Sequence, residues 1–271
     1  MINYAKKIAK IILKQINKII RNRKIIRKIN GLVFELDLRE AIDYEIYAHK
    51  IFEPDTTNAI KKFSKPGMNA IDIGANIGYY TLILAQAIEE NGKVIAFEPM
   101  HWAFKKLEKN ISLNKFNNII LENKALSDNN ENNINAKFAC SWPVFENKKN
   151  LHPIHKGKAM ENKTDMITLD SYANNKKIKI DLIKLDVDGY EVKVLKGAKR
   201  ILKEDRPIII SELGKYTLKE VGDTPELMID ILLENNYKII NEKYLTPYKN
   251  KEDLLKSIPE YKTINIIASP K

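Results

Sequence analysis

Residues 68–89 constrain the fold more than any other stretch of this chain. Met68-Asn69-Ala70-Ile71-Asp72-Ile73 has the length and branched residues of a buried strand. It runs into Gly74-Ala75-Asn76-Ile77-Gly78, and residues 79–89, with Leu82, Ile83, Ala85 and Ala87 recurring, predict a helix that Asn91-Gly92 terminates. Gly74 and Gly78 can adopt backbone angles closed to other residues, and without a Cβ they let the helix pack closely on the strand and a ligand approach the main chain. In an open α/β sheet, the crevice at the carboxyl end of such a strand is where ligands bind.

A second strand, Lys93-Val94-Ile95-Ala96-Phe97, ends at Glu98-Pro99 and sets a carboxylate beside the glycine turn. An acceptor there can hold the two ribose hydroxyls of an adenosine. A dinucleotide and S-adenosylmethionine both carry that group, and the turn separates them. The dinucleotide fingerprint G-x-G-x-x-G uses its middle glycine to let the backbone approach a pyrophosphate. Here Asn76, which has a side chain, holds that position. The methionine end of S-adenosylmethionine has no pyrophosphate, so the pattern favours the methyl donor, with an NAD-dependent oxidoreductase as the alternative.

Charge divides the chain. Residues 1–30 hold ten basic residues and no acid, nearly all of the net charge of +11, and the remainder has 36 basic against 35 acidic residues. Within residues 1–30, Ile8, Ile11, Ile12, Ile16, Ile19 and Ile20 recur at three-to-four spacing, which predicts a basic amphipathic helix. Its longest apolar run, Ile11-Ile12-Leu13, is too short for a membrane span or a signal-peptide core. An anionic membrane surface is the partner such a helix suits, and a solvated or domain-packing helix is the plain alternative. Nucleic acid is disfavoured because no stacking aromatics are interleaved with the basic residues. A non-catalytic, membrane-associated binding module is a further alternative for the whole chain. The single Cys140 excludes an intrachain disulfide and fits a reducing, cytoplasmic setting, with the thiol as a packing residue.

Residues 32–36 predict a strand and 42–51 a helix leading to Phe52-Glu53-Pro54-Asp55, a stretch expected to cover the cleft. Residues 101–114 predict a helix and 119–121 a third strand, while 128–164, rich in Asn and Lys, predict an insertion or lid with short strands. Strands at 178–186, 207–212, 237–241 and 263–269 follow, with a helix from the N-cap Thr224 through 235. Strands alternating with helices make residues 31–271 one doubly wound α/β domain.

The chain resembles the FkbM-type methyltransferase family over roughly residues 40–269. The matching pieces are D-I-G-A-N-I-G-Y-Y-T (72–81), V-I-A-F-E-P (94–99), K-A-L-S-D (124–128), T-L-D (168–170), I-D-L-I-K-L-D-V-D-G-Y-E (180–191) and V-L-K-G-A (194–198). The resemblance implies a Rossmann-like class I methyltransferase: a seven-stranded, mostly parallel sheet with an antiparallel last strand, and S-adenosylmethionine as donor. The acceptor it implies is a hydroxyl of a sugar, glycan or small natural product. By position, Asp72, Gly74, Asn76 and Gly78 would line the methionine part, Glu98 would hold the ribose, and Ala125, Leu126 and Ser127 would border the adenine. Asp188 stands where the family more often has Glu, which shortens the reach from that position.

Methyl transfer to oxygen is an in-line displacement that needs the acceptor held opposite the sulfonium and a base for the hydroxyl proton. Asp186, at the end of the 178–186 strand, is the first candidate base and Asp188 the second, with Glu212, His152 and His155 behind them. Asp186 and Glu212 could alternatively serve as oxygen ligands for magnesium, but two carboxylates are too few to assign a metal. The N/D-P-P-Y/F/W motif of amino-methylating enzymes acting on nucleic acid is absent, and Cys140 lacks the preceding proline of a cytosine-C5 enzyme.

Overall fold

The computed structural model describes residues 19, 22–143, 151–154 and 156–271. Two strands, β1 (Lys24–Ile29) and β2 (Leu32–Asp37), lead to helices α1 (Ala41–His49) and α2 (Pro54–Phe63). Then β3 (Asn69–Ile73), α3 (Tyr79–Ile88), β4 (Lys93–Phe97), α4 (His101–Ser112) and β5 (Ile119–Glu122) alternate. Next come β6 (Lys124–Leu126), β7 (Glu131–Ser141), β8 (Lys158–Ile167), α5 (Leu169–Lys176), β9 (Leu182–Leu185), α6 (Glu191–Lys196) and α7 (Lys199–Lys203). The chain finishes with β10 (Ile208–Gly214), α8 (Lys215–Glu220), α9 (Pro225–Glu234), β11 (Tyr237–Asn241), α10 (Lys251–Ser257) and β12 (Thr263–Pro270).

Seven strands form the main sheet in the order β11-β12-β10-β9-β3-β4-β5. The pairs β10/β9, β3/β9, β3/β4 and β4/β5 are parallel, and only the last strand, β12, runs antiparallel to its neighbours β10 and β11. This is the Rossmann-like arrangement expected from the sequence. Strand residues alternate faces, so Ile71, Ile73, Ile183 and Leu185 join one buried cluster, while Ala70, Leu182 and Ile210 join the cluster on the opposite face. The order of strands reverses between β3 and β9, so the carboxyl ends of these two strands flank the crevice.

The amino-terminal expectation needs correction. Residues 24–29 are not helical but form β1, paired with β2 from Ile29↔Leu32 to Lys24↔Asp37. The cause is Asn30-Gly31, whose φ values of 51° and 89° make a two-residue hairpin turn. A domain boundary at 30/31 therefore falls inside a hairpin whose Ile29, Leu32, Phe34 and Leu36 belong to the main core. Residues 1–18, 20 and 21, on which the rest of the amphipathic helix was expected, lie outside the described residues. No helix among the described residues is long and apolar enough to cross a membrane.

The stretch 128–164 also differs from the short strands expected. It carries β7 and β8, 11 and 10 residues long, in a three-stranded sheet ordered β6-β8-β7. Alternation exists in Ile134, Ala136, Phe138 and Cys140, which turn inward, but exposed Asn and Lys on the other face mask it. Cys140 packs beside Met100 and Ala103, and burial pushes its thiol up to about 12, so it is a packing residue.

Candidate active site

A cavity of about 340 Å³ opens at the carboxyl ends of β3, β4, β9 and β10. One half is built by the glycine turn. Gly74 has φ 80°, and a Cβ on it would lie 1.9 Å from the backbone oxygen of Asp186, so only glycine lets the β3–α3 turn pass the end of β9. The amides of Gly74 and Ala75 both donate to Phe97 O at 3.0 Å, tying the turn to β4. Gly78, with φ 87°, sits where a Cβ would come within 2.6 Å of Leu107 Cδ1, bringing α3 onto α4.

Asn76, at φ 48°, takes a left-handed conformation that asparagine tolerates. Its amide donates to Glu98 Oε2 and the Met100 amide to Glu98 Oε1, each at 2.9 Å. Glu98 thus staples both loops, and burial pushes its carboxyl up to about 7. Each oxygen keeps a lone pair that can accept a further hydroxyl. Asp72 is fully buried; Thr81 Oγ1 donates to its Oδ2 at 2.6 Å, and Oδ1 has no partner among the described residues. Ala125, Leu126 and Ser127 line the cavity beyond Glu98. A glycine turn without side chains in the way, an acceptor for a diol and an apolar slot in a cavity of ligand size fit an adenosyl donor.

The other half is acidic and aromatic. Asp186, Asp188 and Glu212 line it together with Glu53, Lys184, Tyr80, Tyr190, Tyr216, Phe138 and Trp142. Lys184 is buried and meets Asp186 Oδ2 at 2.5 Å. Burial works against its charge, but Asp186, Asp72 and Glu53 together hold the ammonium more firmly protonated than a free lysine. Asp188 stands at φ 49°, and burial, reinforced by Asp186 and Glu191, pushes it up to about 8. Glu191 accepts the amides of Val187 at 2.9 Å and Gly189 at 3.3 Å, which orders the loop. Glu212 is raised well above the usual range by burial and then by Asp186, Asp188 and Glu191.

All the donor-side residues expected from the sequence line this cavity except Asp72, inside β3, and Gly78, the N-cap of α3, and Asp186 and Asp188 line its other half. His152 does not: its Nε2 lies 2.9 Å from Glu220 Oε1, away from the cavity lining. His155 lies outside the described residues. Asp186, Glu191 and Glu212 bring one oxygen each within 4.8 Å of one another. Lys184 already holds the first, and two backbone amides the second, so the trio carries no metal assignment. Sequence reading missed Glu53, Tyr80 and Lys184. Lys184 had a signal, a lysine at a core position of an otherwise apolar strand.

A glycine-turn pocket for an adenosyl donor that opens onto a carboxylate-lined acceptor pocket, on a sheet of this order, defines an S-adenosylmethionine-dependent methyltransferase. The profile described as Methyltransferase FkbM domain matches residues 72–239, more than half of the sequence, and the chain belongs to that family. That of protein-L-isoaspartate (D-aspartate) O-methyltransferase matches residues 13–128. Among solved structures, the chain is similar to the methyltransferase FkbM of Methylobacillus flagellatus, with 17% identity and a TM-score of 0.48, over 82% of this chain and 49% of that one. It thus spans about half the length of that relative. It is also similar to M. jannaschii TYW2 in complex with AdoMet, with 18% identity, a TM-score of 0.43 and coverage of 90% and 84%. A SAM-dependent O-methyltransferase of Thermotoga maritima has 13% identity, a TM-score of 0.46 and coverage of 92% and 86%. No curated protein matches the chain.

Proposed function

We propose that this chain methylates a hydroxyl of a sugar, glycan or small natural product. The observation that carries this reading is the continuity of the two half-sites: Gly74 and the backbone of Asp186 are in such close approach that donor and acceptor pockets share one wall. In this reading Gly74 and Asn76 line the methionine end while Asp72 and Gly78, which the cavity does not reach, shape the turn; Glu98 holds the ribose hydroxyls, and Ala125, Leu126 and Ser127 the adenine edge. The bound donor supplies an electrophilic methyl group. Asp186, its charge balanced by Lys184, accepts a hydrogen bond from the acceptor and orients it. Asp188, protonated near neutral pH, donates one. Phe138, Trp142, Tyr190 and Tyr216 offer ring faces to a sugar or another flat apolar surface and exclude water. The acceptor is a small molecule or glycan in this reading, and nucleic acid is not part of it.

Isothermal titration with S-adenosylmethionine and with NAD tests the donor. Binding of the first and not the second is expected, and failure to bind S-adenosylmethionine would refute the reading. Mass spectrometry of glycans and small metabolites from cells with and without the chain then tests the acceptor, the expected difference being one methyl group on oxygen. Asp186→Asn should keep donor binding and lose turnover.

The ten basic residues of 1–30 support a cytoplasmic protein held at an anionic membrane surface, each basic residue near the lipid contributing on the order of 1 kcal/mol. Co-sedimentation with vesicles containing phosphatidylserine should be lost when residues 1–21 are removed, a cut that leaves β1 intact. Unchanged partitioning would refute a membrane role.

A further inference from the structure

The residue that removes the acceptor's proton is left open by the reading above, since Asp186 only orients the hydroxyl. Four carboxylates face the acceptor half of the cavity, and their surroundings sort them. Asp186 gives Oδ2 to a buried ammonium at 2.5 Å, so a proton arriving there would break an ion pair. Burial, and then the like charges around them, raises the carboxyls of Asp188 and Glu212 and favours their protonated, donating forms. Glu53 differs from Asp186 in being held by neutral hydroxyls rather than by an ammonium.

Glu53 is the residue before Pro54 and the N-cap of α2, with φ 39° and ψ 78°. A β-carbon-bearing residue ahead of proline is normally extended, so this left-handed conformation is strained and must be held by its surroundings. Its holders are visible. Tyr80 Oη donates to Glu53 Oε2 at 2.7 Å, Thr56 Oγ1 to the same oxygen at 3.3 Å, and the Thr57 amide to the Glu53 carbonyl at 2.9 Å. All the side-chain donors fall on Oε2. Oε1 has no hydrogen-bond partner among the described residues, and the side chain lines the cavity. The turn thus fixes a carboxylate by one oxygen and offers the other.

We propose that Glu53 is the general base, taking the acceptor's hydroxyl proton through Oε1. The acceptor oxygen gains the methyl group as it loses its proton to Glu53; the sulfur–methyl bond breaks and its electron pair stays on sulfur, giving S-adenosylhomocysteine. The proton then leaves Glu53 for solvent. The groups facing Glu53 are Asp186 and Lys184 from the end of β9, Tyr80 from α3, Thr56 on its own helix and Glu242 beyond β11. Burial and then Asp186 make its carboxylate more basic than a free glutamate, and Lys184, Tyr80 and Thr56 act in the opposite direction.

This inference rests on the methyl-transfer reading, and its test separates the two. Full-length protein is given S-adenosylmethionine and, as acceptor, the polysaccharide and lipid-linked glycan fraction of cells lacking the chain. S-adenosylhomocysteine is measured from pH 5.5 to 9, and donor affinity by titration. Glu53→Gln should lower turnover at least ~100-fold with donor affinity within about twofold, Glu53→Asp should restore part of it, and the acid limb of the wild-type pH profile should vanish in Glu53→Gln. Turnover of Glu53→Gln above half that of wild type overturns the proposal. So does loss of donor binding together with turnover, which marks a structural role. Wild-type protein that binds the donor but methylates nothing in the fraction overturns the glycan acceptor and this proposal with it, whereas no donor binding overturns the methyl-transfer reading itself.

Discussion

Lys184 Nζ lies 2.5 Å from Asp186 Oδ2, and the ladder places Lys184 directly opposite Asp72 on β3. One ammonium therefore serves two carboxylates at the base of the site and interacts with Glu53 as a third, opposing the upward push of burial and Asp186 on that carboxyl. It also stands 4.9 Å from the centroid of the Tyr80 ring, whose hydroxyl holds Glu53. The buried cation ties the donor half to the acceptor half.

Lys184→Met keeps the apolar stem and deletes the charge. Asp72, Asp186 and Glu53 are then left with no buried cation, and removing one partner of such a set costs about 3 kcal/mol or more. Protonating the carboxylates relieves the repulsion, so the deficit relative to wild type should be larger at pH 8 than at pH 5. Urea unfolding at the two pH values measures it.

Gly74→Ala meets two obstacles, a left-handed backbone and a Cβ only 1.9 Å from Asp186 O. Gly67 has nearly the same angle, φ 84° against 80°, but nothing within 4 Å of a Cβ. Gly67→Ala should therefore cost only the backbone term, about 1 kcal/mol, and Gly74→Ala at least ~2 kcal/mol more with donor affinity reduced at least tenfold. Thermal unfolding and titration of both variants isolate the close approach as the cause.

The parts of the site that local rules encode were legible. Gly74, Gly78 and Glu98 follow from a strand, a tight turn and the neighbouring strand end, and the antiparallel last strand follows from the family resemblance. What escaped has two physical sources. Asn30-Gly31 reads as a helix C-cap as well as a hairpin turn, and only the tertiary pairing of 24–29 with β2 decides for the hairpin over the helix that the isoleucine periodicity of the preceding residues suggests. Glu53 and Lys184 escaped because their meaning is tertiary. Glu53 is 133 positions from Asp186 in sequence, and nothing in Phe52-Glu53-Pro54 says that its carboxylate faces a cavity built by β9.

Glu40 latches the β7 end onto the body of the protein. Its buried carboxylate accepts Ser141 Oγ at 2.9 and 3.0 Å and the Trp142 amide at 2.7 Å, and Trp142 lines the cavity. Glu40→Ala deletes the acceptor of all three contacts and should destabilise the protein by about 2 kcal/mol. In a Trp102→Phe background, Trp142 fluorescence should shift to the red as its wall loosens. An unchanged spectrum would show that the latch does not position the ring.

Asp188 should make the protein's stability fall with rising pH. Its folded-state carboxyl is pushed up to about 8, against about 3.9 in an unfolded chain, so between those values the folded state binds more protons than the unfolded state. The stabilisation from the protonated group is complete below about pH 4 and is lost progressively as pH rises through 8. Asp188→Asn keeps the shape of the neutral acid and removes the titration. Relative to wild type it should be nearly neutral at pH 4.5 and stabilising by about 2 kcal/mol at pH 8, flattening the decline between them. Chemical denaturation across pH 4.5 to 8.5 measures both curves. A variant curve parallel to wild type would mean that Asp188 is already ionised in the folded protein, and would remove it as the hydrogen-bond donor of the acceptor site.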